Sequence, residues 1–380
     1  MTKQLTTLAL AAVLFAACEP NGGITEPQAS IQSALAGQQN LDGDNGPGAV
    51  YTLTNQVAGN AVAVFARAAD GTLTPAGTFA TSGAGTGAGL GSQGAVTLSS
   101  DGRLVFAVNA GSNDVSVFRV GPQGLSLLSR TPSGGLLPIS VTGSRDLVYV
   151  LNAGGAGNIT GFRIDNAGTL TPVAGSTKAL SSAAAGPAEI SFSADGRQLI
   201  VSEKNTNLLD VYPVDENGVA GERTSFASAG GTPFGFAVGS HNLVFVSEAA
   251  APGSASSYTL RSGSLQLVSG VVLTHRGAPC WAVVTNDGRF GFTGNGSGSV
   301  SGFRVAPDGS IRLLDSDAAT TIIAGGVNDI ALSGNSRYLY ALGTSSQQAI
   351  YAFRIQNDGS LKSLGPVGGL PAGTRGLAAF

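Results

Sequence analysis

From about residue 48 onward the apolar positions fall into short runs bounded by turn residues, the pattern of strands rather than helices. One motif recurs: a short strand, a turn resembling Ser-Asp-Gly-Arg, a second strand, then a third strand carrying an aromatic residue. The aromatic positions are Phe65, Phe118, Phe162, Tyr212, Tyr258, Phe303 and Phe353, which span 288 positions in six steps of about 48. Four of them are followed by arginine, at Arg119, Arg163, Arg304 and Arg354. Asp101-Gly102-Arg103, Asp195-Gly196-Arg197 and Asp287-Gly288-Arg289 join first to second strands. Looser versions stand at Gly143-Ser144-Arg145, Ser240-His241-Asn242 and Asn335-Ser336-Arg337. Asp-Gly permits the positive φ that a tight hairpin requires. A second turn follows each aromatic, as at Asp70-Gly71, Asn217-Gly218 and Asp358-Gly359. Each repeat is therefore four strands joined by hairpins.

Four-stranded repeats of this length describe the blades of a β-propeller. The ends of the chain set the count. Ala49 to Leu53 reads as a second strand, whereas Gly376 to Phe380 matches only a first strand. The C-terminal strand is expected to complete the first blade, so that no sheet edge is left open. The fold class is all-β, a seven-bladed propeller over residues 47–380. A propeller of tryptophan-aspartate repeats would show that dipeptide in several blades, and this chain has a single Trp, Trp281. A solenoid would need capping repeats at both ends.

Composition agrees with this architecture. The chain has 57 Gly and 16 Pro among 380 residues and only 11% charged residues, while 42% are hydrophobic. Many tight turns call for glycine, and strands packed between blades exclude charge. The net charge of −3 provides no basic footprint for nucleic acid. Two cysteines make no disulfide framework.

The N-terminus reads as an address. Lys3 precedes a mostly apolar run from Leu5 to Ala17, which as a helix would rise about 20 Å against a hydrocarbon core of about 30 Å. Residues 1–17 are therefore expected to be an export signal. The ending Ala16-Ala17-Cys18 resembles that of a bacterial lipoprotein, which implies lipidation of Cys18. Residues 18–46, rich in Gly, Gln, Pro and Asn, are expected to tether the folded body to that anchor. The expected location is the bacterial cell envelope, in the periplasm or at the outer membrane.

Antiparallel strands alternate direction, so the starts of first strands and the ends of second strands share one rim. These positions are expected to ring the mouth of the central channel and to meet a ligand there. First-strand starts contribute Glu189, Phe234, Trp281, Asn328, Asp329 and Arg375, and second-strand ends contribute Asn55, Asn109, Asn152, Glu203, Glu248 and Asn295. His275 and Arg276 precede a first strand on the same rim. In so uncharged a chain this predicts an acidic mouth. Ca²⁺ is compatible with its oxygen ligands, although no cofactor is required. Zinc has almost no ligands here, and Cys280, beside Trp281, reads as a buried small apolar residue. The run Gly83 to Gly91 lacks a following Gly-Lys-Ser and is read as a loop, not a phosphate cradle.

The text Ser100 to Val120, Ser-Asp-Gly-Arg-Leu-Val-Phe-Ala-Val-Asn-Ala-Gly-Ser-Asn-Asp-Val-Ser-Val-Phe-Arg-Val, is similar to blades of the lactonase family of seven-bladed propellers. That family includes bacterial 6-phosphogluconolactonases and fungal carboxymuconate-lactonizing enzymes. The resemblance implies Gly-Pro-Arg-His entering one first strand and Glu ending the next strand. Here Glu203 matches that Glu, but Ala188 and Glu189 stand where Arg and His are implied. A later Arg is replaced by Gly296, and an upstream blade entry with an implied His reads Leu137-Pro138-Ile139. The resemblance leaves Glu203 as candidate base, with His275, Arg276 or Arg375 to stabilise charge. With the constellation so altered, the leading expectation is a monomeric module binding a small ligand or an envelope protein at the channel mouth. A divergent lactone hydrolase working from Glu203 is the alternative.

Overall fold

The computed structural model describes residues 46, 48–344 and 348–380. The expected signal, Cys18 and the tether up to residue 45 lie outside the described residues.

The described chain forms seven antiparallel sheets arranged as blades. The innermost strands of blades 2 to 7 are Val96–Leu98, Pro138–Ser144, Pro187–Phe192, Pro233–Val238, Pro279–Val284 and Val327–Leu332. Four of the six begin with proline, which fits a first strand position because its missing N–H leaves no gap in the ladder. Blade 1 takes its innermost strand, Arg375–Ala379, from the other end of the described chain. It pairs with Gly48–Leu53, with Val50 opposite Ala379 and Leu53 opposite Arg375. The inner strands then touch one another all round, from Arg375–Ala379 through blades 2 to 7 and back. The ring is closed as the repeat predicts.

Two rims follow from the strand directions. The turn rim carries the hairpins between first and second strands. The loop rim carries the entries into each blade and the ends of the second strands. On the turn rim Asp101 Oδ1 accepts hydrogen bonds from Ser99 Oγ (2.6 Å) and Arg103 N (3.1 Å), and Gly102 has φ +68°. Asp195 and Asp287 repeat the arrangement with Ser193 and Thr285. The aspartate thus holds the turn while glycine supplies the left-handed residue. Those hydroxyl and peptide bonds hold Asp195 below the usual carboxylate range.

All seven recurrent aromatics are buried, at 4% exposure or less. They sit in third strands and fill the space between blades, as where Phe303 meets Phe245 edge-on at 5.3 Å. Three details depart from a uniform repeat. The outer strands of blades 3 and 6 are each broken into two short pieces, Leu170–Pro172 with Lys178–Ala179 and Ile311–Leu313 with Thr321–Ile322. The inner strand of blade 2 is cut to Val96–Leu98. Ahead of it, residues 81–95 form the longest blade entry in the described chain.

Candidate functional site

That long entry closes the loop rim. Ser92 and Gln93 cross the channel and bind three other blades. Ser92 Oγ donates to Ile139 O of blade 3 (2.8 Å), and Gln93 N donates to Ala188 O of blade 4 (3.2 Å). Trp281 Nε1 of blade 6 donates to Ser92 O (3.1 Å). The Gln93 amide then reads the backbone of Ala282 in both directions, accepting from its N and donating to its O at 2.8 Å each. Lys204 Nζ donates to Gly91 O and lies 4.9 Å from the Phe234 ring centroid, which secures the plug from the rim.

The reason for the crossing lies in the inner strands, whose channel-side N–H groups need acceptors. Around the ring, neighbouring blades supply them. Val141 N donates to Gly94 O, Ile190 N to Ser140 Oγ, Phe236 N to Glu189 Oε2 and Leu377 N to Asp329 Oδ2. The position that would serve Ala282 is Gly235, which has no side chain, so Gln93 reaches across instead. A Cβ on Gly235 would lie 2.1 Å from Gln93 Oε1. Burial pushes the carboxyls of Glu189 and Asp329 well above the usual carboxylate range, opposed by these peptide bonds.

Beyond the plug the channel holds a cavity of about 420 Å³ on the side of blades 4 to 7. Its lining runs from Gln93 at the inner end to Ser191, Phe192, Phe236, Val238, Val284, Asn286 and Ser333 near the turn rim. Polar and apolar groups share the walls about equally, and no ionisable side chain lines it among the described residues. Walls of this kind suit a small uncharged molecule of mixed polarity.

A family model described as Lactonase, 7-bladed beta-propeller, matches residues 50–181. The chain resembles the lactonase family. Among solved structures, a Bacteroides fragilis protein named as a candidate 6-phosphogluconolactonase aligns with TM-score 0.69 and 17% identity, covering 89% of this chain and 99% of that one. A periplasmic gluconolactonase of Pseudomonas aeruginosa aligns with TM-score 0.69 and 16% identity, over 87% and 98% of the two chains. At such identities these structures share the fold. A comparison with curated sequences found no match.

In this lactonase-like propeller the residues expected at an open, acidic mouth are mostly buried. Glu203 and Glu248 are each fully buried, and Asn55, Asn109, Asn152 and Asn295 are at most 1% exposed. They tie the end of the second strand to the third strand and to the entry loop. Glu203 accepts from Ser181 N (2.9 Å), Ser181 Oγ and Thr206 Oγ1 (2.6 Å). Glu248 accepts from Ser254 Oγ, Ser256 Oγ, Ser228 Oγ and Gly230 N. Asn295 Nδ2 donates to Ser299 and Ser301, Asn109 Nδ2 to Asp114 and Ser116, and Asn152 Nδ2 to Asn158 and Ser133 O. Asn55 Nδ2 donates to Ala88 O and Gly373 O, pinning the plug segment to blade 1. Trp281, Phe234 and Asn328 are buried, and Cys280 is buried and in no disulfide among the described residues.

The expected charge-stabilising residues do not gather round Glu203. His275 is exposed in the entry to blade 6, with φ +53°. Arg276 is bound to Asp317, through its main-chain oxygen (Nε, 2.9 Å) and its carboxylate (3.3 Å). Arg375 is buried and donates to Thr374 O. Instead, Glu203 neighbours Asp210 on the third strand, where the matching positions of blades 5 and 6 hold Ser256 and Ser301. Asp210 is fully buried and its carboxylate lies 3.4 Å from Arg223 Nε. Burial first, and then the charge of Glu203, push Asp210 up to about 7. Among the described residues no group of three acidic, His or Cys side chains is placed to hold a metal ion.

Sequence reasoning missed Ser92, Gln93 and Asp210. The length of segment 81–95 was a usable signal for the first two. Asp210 was visible only as a charged residue in an apolar strand.

Proposed function

We propose that this lactonase-like propeller is a binding module of the cell envelope, receiving a small ligand or a partner's side chain in its channel from the turn rim. The observation that carries the reading is the channel itself: plugged on the loop rim by Ser92 and Gln93, and continuing as a cavity without ionisable walls. Lactone hydrolysis needs a base to activate water and donors to hold an oxyanion. The implied Arg and His are Ala188 and Glu189, and the Glu203 carboxylate already accepts three hydrogen bonds within its own blade. The small-small-Cys ending at Cys18 supports a lipid anchor and an exported location.

A second reading, a divergent lactone hydrolase, is favoured by the match to the lactonase family model. Incubating the mature protein with glucono-δ-lactone and dihydrocoumarin in a pH-stat separates the two. Binding without turnover is expected, read through the fluorescence of the single Trp281 and lost in Val238→Asp. Steady turnover that disappears in Glu203→Gln would establish the hydrolase instead.

A further inference from the structure

A second cavity, of about 570 Å³, lies on the turn rim beneath blades 6, 7 and 1. It shares Asn286 and Gly334 with the lining of the channel cavity, and Asn286 Nδ2 donates to Gly334 O there (2.7 Å). Four arginines line it, Arg67, Arg289, Arg337 and Arg354, against one carboxylate, Asp287. That carboxylate is already engaged by Thr285 Oγ1 and Arg289 N. In a chain with a net charge of −3 this is a local excess of positive charge.

Two of the four are committed to protein. Arg67 donates to the main-chain oxygens of Phe380 and Gly46. Arg289 stacks on Phe290 at 5.1 Å and donates to Asn357 O. The other two have no hydrogen-bond or ion-pair partner for their guanidinium groups among the described residues. For Arg354 the repeat shows the difference. Its counterparts Arg119, Arg163 and Arg304 each donate to a turn carbonyl of the next blade, at Asn166, Asn217 and Asp358. In blade 1 two carbonyls of that turn accept from tyrosines, Ala69 O from Tyr338 Oη (2.7 Å) and Gly71 O from Tyr340 Oη (3.1 Å), and Arg354 donates to none of them. Arg354 does not fill the role that its repeat position has in blades 2, 3 and 6.

Arg354 stands opposite Tyr338 in register, so it leaves blade 7 on the face toward blade 1. Arg337, one residue before Tyr338, leaves on the other face. Two unengaged guanidinium groups therefore flank one cavity, with the charges of Arg67 and Arg289 behind them. Guanidinium forks match phosphate oxygens in pairs. The geometry points to a binding site for a phosphate-bearing polyanion, such as a diphosphate, beneath the end of blade 7.

The test is a calorimetric titration of the folded protein with inorganic pyrophosphate at low salt. The expected result is saturable binding of one equivalent, weakened at least tenfold by Arg354→Gln and by Arg337→Gln. Arg103→Gln, at the turn of blade 2 equivalent to Arg289, keeps the affinity within about twofold. Thermal melts of each variant confirm folding. Sedimentation with phosphatidylglycerol vesicles distinguishes sources: co-sedimentation lost in Arg354→Gln assigns a lipid phosphate, and pyrophosphate binding without it assigns a soluble one. Absence of binding to both probes, or equal weakening by Arg103→Gln, overturns the site.

Discussion

The two rims of this propeller grow from the same repeats, yet their polar residues serve different ends. On the loop rim the side chains at second-strand ends are buried and, Asn152 Oδ1 apart, hydrogen-bonded, and a segment from blade 2 seals the channel. On the turn rim the aspartates serve only their own hairpins, the channel holds a cavity, and arginines stand without partners. The difference shows that acidic side chains near a channel need not make an acidic surface. A buried carboxylate is kept because several donors require an acceptor, and leaving them unpaired costs more than the charge does.

Removing the hub on one rim and its counterpart on the other is the sharpest way to break this contrast. Glu248→Ala abandons Ser254, Ser256, Ser228 and Gly230 N at once, and is expected to cost about 2–4 kcal/mol. Asp101→Ala, at an exposed turn, is expected to cost about 0.5 kcal/mol. Urea unfolding of both variants measures the gap, and equal losses would erase the distinction between the rims.

A smaller effect is expected from Gly235→Ala. Its Cβ would meet Gln93 Oε1 at 2.1 Å and Cys280 O at 2.7 Å, so the plug must shift, at about 1–3 kcal/mol. Acrylamide quenching of Trp281, whose indole holds Ser92, should rise in the variant. Unchanged quenching would mean that the plug tolerates the methyl group.

The smallest effect is a pH dependence. Asp210, pushed up to about 7, holds its proton more tightly in the folded protein than in the unfolded chain. Its contribution to stability is therefore complete below the unfolded carboxyl pKa and is lost as pH rises through about 7. One such group sets a slope of at most about 1.4 kcal/mol per pH unit. Asp210→Asn should flatten that part of the profile in melts between pH 5 and 8. A profile identical to the parent would remove Asp210 as its source.

Much of the fold was legible because its determinants are local and repeated. Asp-Gly turns, aromatic third strands and the split first blade each carry their meaning within a few residues, and repetition multiplies a weak signal. The ring of polar positions was legible as a set: Asn55, Asn109, Asn152, Glu203, Glu248 and Asn295 do share one rim. What strand alternation could not convey was their burial, because that depends on serines and threonines brought in by loops such as Ser181 and Ser228.

The sequence by itself determined the number of blades, the closure by Arg375–Ala379 and the assignment of residues to rims, since hairpin geometry follows from turn chemistry and a period of two. Only the tertiary structure decided which rim is open. Gln93 meets Ala282 across 189 positions of sequence, because a missing side chain at Gly235 leaves a peptide group without its neighbouring-blade acceptor. Likewise Tyr338 and Tyr340 bind two carbonyls of the blade 1 turn, where Arg354, unlike its counterparts in blades 2, 3 and 6, makes no bond. Both outcomes depend on which hydrogen-bonding groups of distant segments meet, and they meet only once the ring has closed.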